Sequence, residues 1–283
     1  MRALLMVFFS LLFTSPTWGG ELTLLSPRVH NGEVALLRWQ GEPLSFGVVR
    51  FRDKVFYLYP DPGGAVVLLP VGLNVPAGEY PLTVALADMR GLTTAAELTL
   101  RVDYKKRPEE HLTLPERMVT PVVKDLARIQ RESDLLNQQY ALRSQRLWTT
   151  FALPVSDPIS SVFGKRRVMN GKPKSPHSGT DFRSPSGTPI HSISNGRVAL
   201  VADLFYTGQT VVVDHGEGLL SVYAHLSKVL VEEENELQVG DVLGEVGSTG
   251  RSTGAHLHLT VRLLEERVDP LALLAILDDE PRP

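Results

Sequence analysis

Four histidines and an aspartate in the C-terminal half of the chain carry most of the chemistry this sequence can do. They stand in three compact segments: His177-Ser178-Gly179-Thr180-Asp181, Tyr223-Ala224-His225 and His256-Leu257-His258. Imidazole nitrogen and carboxylate oxygen are ligands of borderline-soft Zn2+, and a catalytic zinc site keeps three protein ligands so that a fourth position can hold water. Five such groups are more than a ligand set needs. Three can hold one metal ion per chain, leaving two imidazoles for proton transfer and charge stabilisation. A lone histidine is more often a satisfied polar residue than a ligand, but five groups in three short segments reverse that expectation.

The elements that must position these residues are short strands. After Trp148 the composition shifts to Gly, Pro, Ser and Val, and apolar runs at 159–163, 196–202, 210–214, 219–225, 242–246 and 256–263 are separated by turns such as Val239-Gly240-Asp241 and Gly247-Ser248-Thr249-Gly250. The spacing predicts an antiparallel β domain over 149–275, with one helical segment at 270–277 and a tail from 276. In a strand, side chains alternate faces, so His256 and His258 project to one side while Leu257 faces the core. Between His177 and Asp181, Gly179 lets the backbone turn sharply or approach a ligand closely.

The rest of the chain frames that domain. At 283 residues, with 43% hydrophobic and 22% charged residues, it is long enough for about two globular domains. A net charge of −3 excludes a partner bound by phosphate neutralisation, so no nucleic acid is expected. The absence of cysteine excludes disulfides, a thiol nucleophile and a lipid-modified cysteine. Residues 1–20 read as a signal peptide: Arg2, an apolar core over 3–13 and small residues near Gly19 and Gly20. That core is short of the roughly 20 residues a spanning helix needs, and no second long apolar run follows. A soluble mature protein in the periplasm, or otherwise secreted to the cell envelope, is expected.

Residues 21–103 show about seven apolar or β-branched runs, at 22–25, 34–39, 46–51, 55–59, 65–71, 80–86 and 95–102, punctuated by turn residues. They predict an immunoglobulin-like β-sandwich acting as an accessory domain. Residues 104–148 read as a charged linker and a helix capped by Thr120, with Pro121 in its first turn. Val122, Leu126, Ile129, Leu136, Tyr140 and Leu147 form its apolar stripe. The fold class expected is therefore mainly β: sandwich, connecting helix, antiparallel C-terminal sheet.

His177-x-x-x-Asp181, Tyr223-Ala224-His225-Leu226 and Gly250-x-x-x-Gly254-Ala255-His256-Leu257-His258 resemble the three signatures of the lysostaphin or LytM-type zinc metallopeptidases, which cut peptide cross-links in bacterial peptidoglycan. The resemblance covers roughly 151–274, including Ile159-Ser160-Ser161-Val162-Phe163-Gly164 and Asp214-His215-Gly216-Glu217-Gly218. It implies that His177, Asp181 and His258 bind zinc and that His225 and His256 are catalytic, in a hydrolysis of stem-peptide cross-links by a zinc-bound water. How the two imidazoles divide their work stays open. The N-terminal half resembles, less specifically, the accessory β domain of some relatives, through which, or through the helix, a regulatory protein would act. The alternative is a non-catalytic relative that binds or activates another cell-wall hydrolase. Such relatives have lost metal ligands, whereas all five residues are present here.

Other polar groups read as structural. His215 looks like a strand-turn support, His191 receives no role, and His30 and His111 fall outside the domain. The acidic run Glu232-Glu233-Glu234-Asn235-Glu236 reads as a solvated loop. Loops at 165–176 and 204–209 are expected to shape the groove and decide which bond is cut.

Overall fold

The computed structural model describes residues 19–276; the leader expected at the N-terminus lies, up to residue 18, outside the described residues, as does the tail from 277. Two β-sheets form the N-terminal part. One joins Gly20–Leu24, Val34–Gly41, Gly64–Pro70 and Tyr59–Asp61 in that order; the other joins Arg28–His30, Thr93–Asp103, Gly78–Asp88, Leu44–Phe51 and Lys54–Tyr57. Leu37, Trp39, Val67 and Leu69 of the first pack against Val49, Phe51, Leu82, Val84 and Leu100 of the second, which makes the expected sandwich. The strand Arg28–His30 was not foreseen. It runs parallel to Thr93–Asp103, and its short Arg-Val-His sequence buries only Val29.

The two sheets differ in a way their sequences explain. Gly78–Asp88 alternates buried and exposed residues, as a sheet with one wet face should. Val34–Gly41 and Gly64–Pro70 are buried almost continuously. Their second face, through Val34, Leu36, Val66 and Leu68, joins one core with Trp148, Phe151, Phe182, Tyr223 and Leu259 of the C-terminal part. Runs without alternation, such as Ala65-Val66-Val67-Leu68-Leu69, are the signature of strands covered on both sides.

Between these parts the structure corrects two expectations. Residues 104–120 are no plain linker: Glu109–Leu112 is a strand, parallel to Arg166–Met169, and Glu116–Val119 is a helical turn. The main helix is Val123–Tyr140, with extended Val122 at its N-cap and no side-chain cap, so Thr120 does not cap it. Proline disfavours helical geometry in the residue before it, which keeps Thr120 extended. Leu147 lies beyond the helix and Leu126 is exposed; the face that packs is Leu135, Leu136 and Tyr140, against Leu200, Val212, Leu220 and Val222. No helix among the described residues is long and apolar enough to cross a membrane.

The C-terminal sheet is antiparallel throughout. Its path runs Ile159–Ser161, Thr180–Phe182, Leu257–Leu263, Leu219–Val229, Gly208–Gly216, Gly196–Leu204 and Glu236–Leu237. Pro270–Ala275 is helical, with Asp269 capping the backbone N–H of Leu271. The fold class is mainly β, with sandwich, helix and antiparallel sheet in the order the sequence indicated.

Candidate metal centre

Three neighbouring strands bring the polar residues together. Asp181 of Thr180–Phe182 stands directly opposite His258 of Leu257–Leu263, and His258 stands opposite Ala224 of Leu219–Val229. Directly opposed side chains lie about 5 Å apart, close enough for the carboxylate and imidazole to meet. His177 reaches them from the loop before its strand. That loop passes so close to the neighbouring strand that a Cβ on Gly179 would stand 2.1 Å from the Leu259 carbonyl oxygen. Gly179 thus serves the approach of two backbones rather than of a ligand.

His177, Asp181 and His258 are all buried, and one ligand atom of each lies within 4.8 Å of the others. His177 Nε2 is 3.0 Å from Asp181 Oδ1 and 3.1 Å from His258 Nδ1, and His258 Nδ1 is 2.6 Å from Asp181 Oδ1. The bond behind His177 fixes its tautomer: Nδ1–H donates to the Val162 carbonyl at 2.9 Å, which leaves Nε2 a lone pair. His258 Nε2 pairs with the Thr260 hydroxyl at 2.9 Å, a partner that can accept its proton and leave Nδ1 to a metal. His177 Nε2, His258 Nδ1 and Asp181 Oδ1 face one point, an arrangement that a cation suits. Two imidazoles and a carboxylate are also a donor set suited to zinc.

Electrostatics agree with that reading. Burial would raise the pKa of Asp181, but the adjoining His258 and His177 imidazoles hold it well below the usual carboxylate range. Burial pushes His258 down to about 4 against the pull of Asp181. At neutral pH the set is therefore one carboxylate with a neutral His258, the protonation state a metal requires.

His225 and His256 stand beside this cluster without joining it. Their rings are 4.7 Å apart, and His225 lies 5.9 Å from the His258 ring. His225 sits at a register shift between Leu219–Val229 and Gly208–Gly216, with φ of 66°. Left-handed geometry costs a histidine energy, and a bulge of this kind re-aims a side chain out of the strand's alternation. Its Nδ1–H donates to the Thr249 carbonyl at 2.8 Å, leaving Nε2 free, and burial with the neighbouring histidines pushes its pKa to about 3. His256 precedes the strand, in a bridge with Gly247. It donates Nδ1–H to the Gly254 carbonyl at 2.8 Å and turns Nε2 toward Asp181 Oδ1 at 3.8 Å. Both free nitrogens belong to a cleft of about 310 Å3.

The other histidines stay out of the cleft. His215 is fully buried, donating to the Asn195 carbonyl and accepting from Ser221 Oγ, both at 2.7 Å; burial lowers its pKa to about 4. Ser221 continues to the Tyr223 hydroxyl, which accepts from the Ile193 N–H, so His215 braces strands as expected. His191 bonds the Gly240 carbonyl, and His30 and His111 are largely exposed. Glu232 to Glu236 are exposed.

Two residues at the cleft were missed as individuals. Arg167, within the loop expected to shape the groove, donates from Nη2 to Asp181 Oδ2 at 2.9 Å. Glu110, read as linker, accepts from Arg167 Nε at 3.2 Å. A single charged residue in a charged segment gives no local signal; only the strand pairing reveals it.

The sequence profile of "Peptidase family M23" matches residues 175–270. A Pseudomonas aeruginosa crystal structure assigned to peptidase M23 is 31% identical, covers 89% of this chain and 97% of that one, and superposes with a TM-score of 0.68. The peptidoglycan DD-endopeptidase ShyA of Vibrio cholerae is 39% identical over 115 residues, 40% of this chain and 27% of the relative. The DD-carboxypeptidase/endopeptidase Mpg of Neisseria meningitidis is 36% identical over 115 residues, 41% of this chain and 26% of the relative. The chain thus spans about a quarter of the length of these curated relatives.

Proposed function

This chain belongs to peptidase family M23, and on that premise we propose that it is an exported zinc metalloendopeptidase of the cell envelope that hydrolyses the peptide cross-links of bacterial peptidoglycan. His177, Asp181 and His258 would hold one zinc ion per chain, and His225 and His256 would act on the substrate. One observation carries the reading: three buried atoms of metal-ligating type face a common point inside a cleft flanked by two free imidazole nitrogens.

When bound, zinc would acidify a water to a pKa near 7 and polarise the scissile carbonyl. The chain's own groups do the rest. Asp181 and the imidazoles of His177 and His258 would hold the cation. His225 and His256, each donating Nδ1–H to a backbone carbonyl, present Nε2 to the substrate space. One of them accepts the proton that the attacking water gives up. The other hydrogen-bonds the developing oxyanion or passes a proton to the leaving amine. The Thr249 carbonyl that holds His225 is itself anchored, because Thr249 Oγ1 bonds the Leu226 carbonyl at 2.8 Å.

The substrate class is supported by the curated relatives, whose names describe DD-endopeptidases of peptidoglycan. The leader-like start of the sequence supports export. A regulatory protein acting through the N-terminal sheets or the helix remains part of this proposal. The test is to incubate the purified mature protein with cross-linked muropeptides, with and without a chelator, and identify products by mass spectrometry. Cleavage that needs zinc and disappears in His177→Ala and His256→Ala is expected. Absence of cleavage by the wild-type, zinc-loaded protein would favour the binding-and-activating alternative.

A further inference from the structure

Glu110 lies outside the matched residues 175–270, on the strand that leads from the N-terminal sheets toward the helix. Parallel pairing sets it opposite Arg167. Its two carboxylate oxygens divide their work. Oε1 accepts from Ser161 Oγ at 2.9 Å and from Lys165 Nζ at 3.0 Å, while Oε2 accepts from Arg167 Nε at 3.2 Å. Each route then continues one step. Arg167 Nη2 donates to Asp181 Oδ2 at 2.9 Å, and Ser161 Oγ stands 3.2 Å from His177 Nδ1. One carboxylate from outside the family match is therefore a single residue removed from two of the three residues facing the common point.

Its charge matters as much as its reach. Lys165 and Arg167 bring two positive charges close behind a site that must accept a divalent cation, and like charges there oppose that cation. Among the residues lining the cleft, Glu110 and Asp181 are the acidic ones, and Arg167 already occupies Asp181 Oδ2. Glu110, Lys165 and Arg167 are all largely withdrawn from solvent, so water screens their charges weakly.

We propose that Glu110 is a positioning residue of the metal centre: it holds Arg167 and Ser161 against Asp181 and His177, and it offsets the Lys165 and Arg167 charges so that the pair can take a divalent cation. This rests on the zinc reading above. It makes the segment between the N-terminal sheets and the helix a working part of the peptidase site, not a tether.

The test uses the full mature chain and zinc itself, titrated in competition with a chromophoric chelator, with thermal unfolding of the metal-free forms as a check on folding. Glu110→Gln keeps the shape and removes the charge; because Glu110 acts one residue behind the ligands, its loss should lower zinc affinity about 10-fold, the lower end of the cost of losing a group bonded directly to a ligand. Adding Lys165→Gln to that variant restores the charge balance and should recover part of the loss. Lys165→Gln alone, its folding checked by the same thermal unfolding, should bind zinc more tightly than wild type. Its sign decides the matter if Glu110→Gln does not fold. Wild-type affinity in folded Glu110→Gln, an equal loss in the double variant, or unchanged or weaker binding in Lys165→Gln would overturn the inference. A wild-type chain that binds no zinc, or a His177→Ala chain that binds it equally well, would instead remove the reading on which it rests.

Discussion

Replacing Glu217 by glutamine should stabilise the protein above neutral pH and leave it unchanged in acid. Glu217 lies in a left-handed turn, φ 56°, between Gly216 and Gly218, and its side chain closes part of a cavity of about 570 Å3 between the N-terminal sheets and residues 263–266. The residue is 7% exposed, and its Oε1 is sealed from water without a hydrogen-bond partner. Burial raises its pKa from 4.5 to about 7; Asp61 adds to the rise, while the Arg146 charge and the nearby Trp148 indole oppose it. The indole's help is small, since Trp148 Nε1 itself makes no hydrogen bond. A folded-state pKa above the unfolded one means that the folded chain holds this proton more tightly. The stability it contributes is complete below pH 4.5 and is lost as pH rises through 7. The shift corresponds to about 3 kcal/mol at full ionisation. Glu217→Gln, neutral at every pH, should match wild type at pH 4.5 and exceed it by about 3 kcal/mol at pH 8.5, or roughly 6–12 °C in Tm for a chain of this size. Urea and thermal unfolding at the two pH values measure the difference. Equal curves at pH 8.5, or a variant less stable there than wild type, would refute the reasoning, because the buried charge would then cost nothing.

Three further outcomes follow from the same geometry. His177→Ala and His258→Ala should each abolish stoichiometric zinc binding and cleavage, measured by metal analysis after gel filtration and by muropeptide products. His225→Ala and His256→Ala should keep zinc at one per chain yet lose about 100- to 10,000-fold in turnover, the range associated with acid–base groups; a loss of metal in either would move that residue into the ligand set. Gly179→Ala drives a Cβ to 2.1 Å from the Leu259 carbonyl oxygen, so it should destabilise the protein by about 3 kcal/mol, seen as a lower urea midpoint.

Much of the candidate centre was legible because its signals are local. His177 with Asp181, and His256 with His258, lie within single short segments whose spacing survives any arrangement of the rest. The strands that carry them also announced themselves, through period-two patterns and glycine-rich turns. The helix was found but misplaced at its start, since the Thr120-Pro121 pair looks like a cap and first turn until the extended geometry of Thr120 and Val122 is seen. Glu109–Leu112 escaped because it has no apolar pattern of its own; its strand geometry comes from pairing with Arg166–Met169, more than fifty residues away. The second covered face of the N-terminal sheet was written in the unbroken apolar runs at 34–37 and 65–69, although what covers it could not be.

Which donors this protein owns, and the alternation that points them, can be read along the chain, because side-chain chemistry and strand period are properties of neighbouring residues. Packing settled which of those donors face one another, which ring nitrogen His177, His225 and His256 leave free, and which remote carboxylate pairs with the cations behind them. Those outcomes depend on strand register, on a bulge at His225 and on burial shared between distant segments. Such quantities belong to the packed whole, since register and burial are set jointly by every strand that competes for the same core.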